Sequence, residues 1–310
     1  MYSLGRDDPD SGPRIRRRPT DPESWELTTF DETRLKAPLP RQELPAGLRV
    51  GPYAIERELL EALEIKRKRL PADDPSIATT LANIGVNLYR RGGIAGSEVR
   101  LREALAIQRK AYGEDHPEVA FTMQQVAVLL DEQGRYPEAE QAYREALAIQ
   151  RKVLGQEHPD IVSTLTNLAD TLSHAGRLDD AEKVYLEALP MSRKLFGPET
   201  TDTAHLLVGL GNLERRRGQL GEAEAAAREA LAIRETQLGP EHPDAAEARA
   251  LLGRVLLDGG RHAEAETALL RAAELLDQQP TLESRRREVR DSLRQLYERW
   301  GRPAEAGRYR

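Results

Sequence analysis

The 310-residue chain has 32% charged and 5% aromatic residues, no cysteine and a formal net charge of −6. Disulfides and cysteine-ligated metals are excluded, no apolar run approaches the roughly 18 residues of a membrane span, and MYSLGRDDPD lacks the basic start and apolar core of a signal peptide, so a cytoplasmic location is expected. Residues 56–279 hold 28 basic against 38 acidic side chains, an acidic body that argues against a nucleic-acid partner, and 39 Arg against seven Lys suggest a GC-rich, bacterial coding genome.

Residues 1–52 contain eight of the 19 prolines and no sustained periodicity, which predicts a disordered or extended arm. Within it, PESWELTTFDE (Pro22 to Glu32) sets Trp25, Leu27 and Phe30 among Glu23, Glu26, Asp31 and Glu32, a composition suited to an apolar strap over the first helix. A lone helix is expected over 53–70. Helix pairs are then expected at about 76–112, 118–154, 160–196, 202–238 and 244–277, followed by a capping helix over 281–300 with an Arg-rich outer side. Residues 301–310, GRPAEAGRYR, copy the opening of a further second helix and form a partial repeat or tail.

The pairs rest on an internal repeat. REALAIQRKAYGEDHPE, from Arg102 to Glu118, returns as REALAIQRKVLGQEHPD from Arg144 to Asp160. Ala62, Ala104, Ala146, Ala188, Ala230 and Ala272 fall at unbroken intervals of 42, and two more ladders keep the step: Gly85, Ala127, Ala169, Gly211, Gly253 and Ser97, Ala139, Ala181, Ala223, Ala265. Small side chains at these positions let two helix backbones cross closely.

The local signals inside one unit give two helices. In DIVSTLTNLADTLSH, Ile161, Leu165, Leu168 and Leu172 share a face, and Gly176 ends the helix. The next helix carries Ala181, Tyr185, Ala188, Leu189 and Leu195, with a kink expected at Pro190 and a stop at Gly197. The pairs His116-Pro117, His158-Pro159 and His242-Pro243 place proline at the first helical position, where its missing N–H is harmless. No pair is large enough to bury its apolar face alone, so neighbours must stack.

Catalytic signatures are lacking. Three of the six histidines keep the repeat register and are read as structural, HAEAE (His262 to Glu266) has no partner at metal-ligand spacing, and no phosphate loop or nucleophile elbow is present. No enzyme activity, metal, cofactor or small-molecule substrate is expected.

The units resemble tetratricopeptide repeats, with small residues in both helices and a large residue one turn before the second-helix Ala, as at Tyr143 and Tyr185. Their 42-residue length, with a long second helix and a GxxHP-type connection, is similar to the kinesin light chain type. The resemblance covers about residues 53–300; IAGSEVRL (Ile94 to Leu101), Ala227 and Leu269 depart from it. It implies an all-α, right-handed superhelical α-solenoid whose first helices line a concave groove.

On that resemblance the groove positions are Asn83, Gln125 and Asn167, whose carboxamides suit a peptide backbone, with Phe121, His205 and Asn212 beside them. Arg215, Arg216 and Arg254, joined by His205, make a candidate positive patch for a carboxylate. Grooves of the kinesin light chain type receive short peptides with Trp flanked by acids, so Trp25, Glu26 and Phe30 are candidates for an intramolecular ligand and the arm a candidate autoinhibitor. The reading is a scaffold or adaptor binding an extended segment of a protein partner. The alternative is a regulatory subunit contacting a folded effector through its ends or convex face.

Overall fold

The computed structural model describes residues 15–17, 25–27, 52–279 and 282–309. In the arm, β1 (Ile15–Arg17) pairs antiparallel with β2 (Trp25–Leu27), Ile15 opposite Leu27 and Arg17 opposite Trp25. The rest of residues 1–51, and with it the expected disorder and Phe30, lies outside the described residues. All other regular structure among the described residues is helical. A lone helix, α1 (Pro52–Arg69), precedes the pairs α2 (Pro75–Arg90) with α3 (Ile94–Tyr112) and α4 (Pro117–Glu132) with α5 (Tyr136–Leu154). The pairs α6 (Pro159–His174) with α7 (Leu178–Phe196), α8 (Thr201–Arg216) with α9 (Leu220–Leu238), and α10 (Pro243–Asp258) with α11 (His262–Asp277) follow. Then come α12 (Glu283–Arg299), the short α13 (Pro303–Ala306) and a 3-10 turn at Gly307–Tyr309. The first member of a pair is termed an A helix and the second a B helix. The chain divides into two compact units, Met1–Val153 and Leu154–Arg310.

The A helices start on side-chain caps at one register. Asp74 accepts from the Ser76 N–H at 2.8 Å, and in place of a carboxylate the Nδ1 atoms of His116, His158 and His242 accept from the N–H groups of Glu118, Asp160 and Asp244 at 3.2 Å each. Thr200 caps α8 through the Thr203 N–H at 3.4 Å. An otherwise orphan helix N–H is thereby satisfied in every pair. The B helices α3, α7 and α9 stop on Gly113, Gly197 and Gly239, which combine positive φ with an extended ψ; Gly113 has φ 82° and ψ 178°, a conformation closed to residues with a Cβ. Helix α7 runs on through Pro190.

Each pair crosses on the small residues. In unit 1 the Ser97 hydroxyl donates to the Gly85 carbonyl at 2.7 Å, and a Cβ on Gly85 would lie 2.7 Å from Leu101 Cγ. In unit 2 a Cβ on Gly253 would lie 2.6 Å from Leu269 Cγ. Ala127, Ala139, Ala169, Ala181, Ala223 and Ala265 are wholly buried at the equivalent positions. Tyr143 and Tyr185 are buried, as are Ala227 and Leu269 in the same register, and each fully buried Leu or Ile contributes about 2 kcal/mol.

Polar ladders run beside this core. Lys66, Gln108, Gln150, Ser192 and Arg234 share one 42-residue register and are each at most 4% exposed. Lys66 Nζ donates to the Ser76 carbonyl and Thr80 Oγ1 at 2.9 Å each, Ser192 Oγ meets Thr203 Oγ1 at 3.0 Å, and Arg234 donates to the Asp244 carbonyl at 2.7 Å and to Glu247 at 2.9 Å. In these three cases a polar side chain of one B helix meets a group near the start of the following A helix. On the B-helix edge, Glu56, Glu98, Glu182, Glu224 and Glu266 belong to a glutamate series stepped by 42, and each pairs with an arginine from the next repeat: Arg91, Arg135, Arg217, Arg261 and Arg302.

The C-terminus folds back on α12. Tyr297 stacks on Tyr309 with ring centroids 5.9 Å apart, the Arg302 guanidinium lies over Tyr297 and Trp300 at 5.1 and 4.8 Å, and the Tyr297 hydroxyl donates to Glu266 at 2.7 Å.

Candidate functional site

In unit 1 the A helices α2 and α4 present two uncharged stripes with the spacing of one helical face, Thr79, Asn83 and Val86 on α2 and Phe121, Gln125 and Val128 on α4. Phe121 is 50% exposed, while Asn83 and Gln125 are half-buried. Among the described residues neither amide has a hydrogen-bond partner, so each keeps two donors and an acceptor for a ligand. The stripes end where the Tyr89 hydroxyl donates to Glu132 at 3.1 Å; burial and the Glu132 carboxylate push that hydroxyl's pKa up to about 12.

In unit 2 the corresponding face is charged and largely paired with itself. Asn167 is half-buried on α6. Gly209 takes the next place in the amide register, and its lack of a Cβ makes room for the Tyr185 ring, since a Cβ there would fall 2.6 Å from the tyrosine hydroxyl. That hydroxyl donates to Asp170, and burial together with the Asp170 charge raises its pKa well above the usual tyrosine value. Leu251, next in the register, is buried.

The four cationic candidates occupy different surroundings. His205 is exposed in the first turns of α8, and Arg216 lies 11 residues on, about 16 Å along the helix. Arg216 donates to the Ser173 carbonyl at 2.6 Å and to its hydroxyl at 2.8 Å. Arg215 and Arg254 do come together, lining a shallow pocket between α8, α10 and α12 with Asp258, Glu288 and Ser292. Arg215 pairs with Asp258 at 2.7 Å, and Arg254 with Glu288 at 2.6 Å and Asn212 at 3.4 Å. The Arg254 side chain is 12% exposed, and burial holds its pKa below the usual arginine value against the opposing pull of Glu288. The Nε atoms of Arg215 and Arg254 are buried and lack a hydrogen-bond partner.

The sequence reading missed the partners, and a signal for them exists. Tyr89 meets Glu132, Ser173 meets Arg216, and Arg215 meets Asp258, each pair 43 residues apart, one more than the repeat. Polar pairs at the period plus one mark where neighbouring A helices touch. Of the intramolecular-ligand candidates, Trp25 and Glu26 lie in β2, opposite Arg17 and Arg16, and Phe30 is outside the described residues. Among the described residues no three His, Asp or Glu side chains converge as a metal ligand set, and no helix is long and apolar enough to cross a membrane.

Helix pairs that repeat every 42 residues, cross on small side chains and pass polar contacts from one repeat to the next define an α-solenoid repeat protein. The chain belongs to the tetratricopeptide repeat family, whose profile matches residues 76–152, 132–194, 160–236 and 202–278. Tetratricopeptide repeats mediate protein–protein interactions. Among solved structures, BtubC (BKLC) from P. vanneervenii is 24% identical over 72% of this chain and 89% of its own, with a TM-score of 0.60. A putative kinesin light chain from Podosopora anserina is 22% identical over 67% and 99%, with a TM-score of 0.56. A Rap protein complexed with competence and sporulation factor is 16% identical over 83% of each chain, with a TM-score of 0.57. At these identities the likeness is one of fold. No curated protein matches the chain.

Proposed function

We propose that this chain is an adaptor that binds an extended segment of a partner protein on its A-helix face, with unit 1 as the main receptor surface. The observation that carries the reading is the pair of unpartnered amides, Asn83 and Gln125, in register on successive A helices beside half-exposed Phe121. Carboxamides grip a peptide backbone irrespective of sequence, and the uncharged stripes select apolar side chains. Asn167, on α6 in unit 2, holds the same place in the 42-residue sequence register. On unit 2, taken by itself, an acidic side chain of a bound peptide would bind Arg254 by displacing Glu288, which is 62% exposed and therefore cheaply returned to water. The chain is a binding protein without catalytic activity of its own, and a cytoplasmic setting is part of the reading.

The test is affinity capture with the full chain beside a variant carrying Asn83→Ala, Gln125→Ala and Asn167→Ala. A partner held by the first and lost by the second, at equal helical content, is expected. Equal retention would move the interface to the B helices, where Leu60 and Val99 are exposed, and would favour a regulatory subunit docking on a folded effector. The arm is proposed as a competitor for the same face. Trp25→Ala with Phe30→Ala in the full chain should then raise affinity for a synthetic peptide of residues 22–32, and unchanged affinity would dismiss the competitor.

A further inference from the structure

Glu214 holds a core position that elsewhere belongs to leucine. At steps of 42 its counterparts are Leu130 in unit 1 and Leu172 and Leu256 in unit 2, each at most 3% exposed. Glu214, in the last turn of α8, is 6% exposed, and its Oε2 is buried with no hydrogen-bond partner among the described residues. A carboxylate stranded in this way costs free energy, whereas the neutral acid carries a donor of its own.

The arginine that closes this corner in other repeats is missing here. Arg135, Arg177 and Arg261 stand just before α5, α7 and α11, and each reaches the acid three residues on: Glu138 at 2.7 Å, Asp180 at 2.9 Å and Glu264 at 2.8 Å. The same place before α9 holds Gln219, and Glu222, three residues further on, is exposed. The Gln219 N–H donates to the Glu214 carbonyl at 2.9 Å, and Gln219 Oε1 is a second buried acceptor without a donor. Arg217 is engaged by Glu182 and, at 3.2 Å, by Asp179. The charges that act on Glu214 are Glu182 from α7, Glu222 from α9 and Arg217 just beyond the end of α8, while α6 and α10 hold leucine at its register position. Burial, with Glu182 and Glu222 set against Arg217, raises the Glu214 pKa from 4.5.

We infer that the corner where α7, α8 and α9 meet is a pH-sensitive latch: a proton on Glu214 stands in for the missing arginine, supplies the donor that the buried acceptors lack, and pins the last turn of α8. The sign follows from the carboxyl's raised affinity for its proton in the folded chain. The latch contributes fully below pH 4.5, where folded and unfolded chains are both protonated, and is lost as the pH rises through the higher folded-state pKa. The turn it holds also carries Arg215 and Arg216, so the cationic face of unit 2 is the part of the chain that responds.

The test compares the full chain with Glu214→Gln, a mimic of the neutral acid, by amide hydrogen exchange of residues 213–219 at pH 7 and pH 5, each rate taken relative to its intrinsic value. Protection in the wild type should rise several-fold relative to the variant on going to pH 5. An equal response in both chains would overturn the inference. Glu214→Leu restores the residue of the register, so it keeps the comparison open if the Gln variant fails to fold, and it should be as insensitive to pH. Gln219→Arg returns the arginine to its place. It should pair with Glu222, hold Glu214 ionised at pH 5 and flatten the response; a response of wild-type size in this variant would refute the substitution of proton for arginine.

Discussion

Replacing Lys66 by Met and following the lysine titration tests the buried polar ladder. The Lys66 ammonium donates to the Ser76 carbonyl and the Thr80 hydroxyl, and burial, partly opposed by the Asp74 carboxylate, takes its pKa from 10.5 down to about 8. A lowering of that size corresponds to about 3 kcal/mol against the charged form. Solvent screening around a helix pair this thin reduces the figure to about 2 kcal/mol. The folded-state pKa lies below the unfolded one, so the full penalty acts below pH 8, where both states are protonated. It fades between about pH 8 and 10.5, because there the folded chain has released a proton that the unfolded chain still holds. Stability therefore rises through that window in the wild type, and Lys66→Met lacks this part of the rise; Thr80 still donates to the Ser76 carbonyl at 3.0 Å, so the variant strands no acceptor. With only seven lysines, carbon-13 labelling of their ε-carbons gives a readable titration, assigned by the signal missing from the variant. One midpoint near pH 8 is expected. Seven midpoints in the range of exposed lysines would refute the reasoning.

Two further substitutions probe the crossings and the caps. Gly253→Ala drives a methyl into Leu269 Cγ, and the strain exceeds the gain in helix propensity, for a net loss of about 1–2 kcal/mol in urea titrations. Adding Leu269→Ala should cancel the clash, so that Gly253→Ala no longer destabilises in that background and the double-mutant cycle shows a favourable coupling. His158→Ala removes the acceptor for the Asp160 N–H and should cost about 1 kcal/mol, whereas His158→Asp keeps an acceptor, favours the helix dipole and should hold or raise the melting temperature. Equal melting temperatures for Ala and Asp at residue 158 would show that the cap is idle.

Much of the helical architecture is legible in the 42-residue step, because the step fixes which residues meet inside a pair: Gly85 with Ser97 and Leu101, or Gly253 with Leu269. Periodicity tells less about side chains that reach from one repeat to the next. Arg216 and Arg215 are sequence neighbours, yet one turns to Ser173 and the other to Asp258, because adjacent positions on a helix point about 100° apart. The glutamate series from Glu56 to Glu266 is also visible as letters, but its arginines stand at 91, 135, 217, 261 and 302, out of step by a residue or two, and long guanidinium arms absorb the difference. The capping role of the histidines was hidden for another reason. Histidine is not among the favoured N-cap residues, and its role emerges only from the Nδ1 geometry shared with Asp74 and Thr200.

Units as alike as these look interchangeable, and duplication or loss of one period is the simplest way for a gene to lengthen or shorten an array. The polar rungs make the seams unequal: Lys66 answers Thr80, Ser192 answers Thr203, and Arg234 answers Glu247. Excising residues 193–234 would keep every small-residue ladder in phase, yet it would seat Ser192 where Glu247 now holds the Arg234 guanidinium. The order of the repeats is therefore part of the message, and recombination between two of them must rewrite a seam before it yields a sound protein.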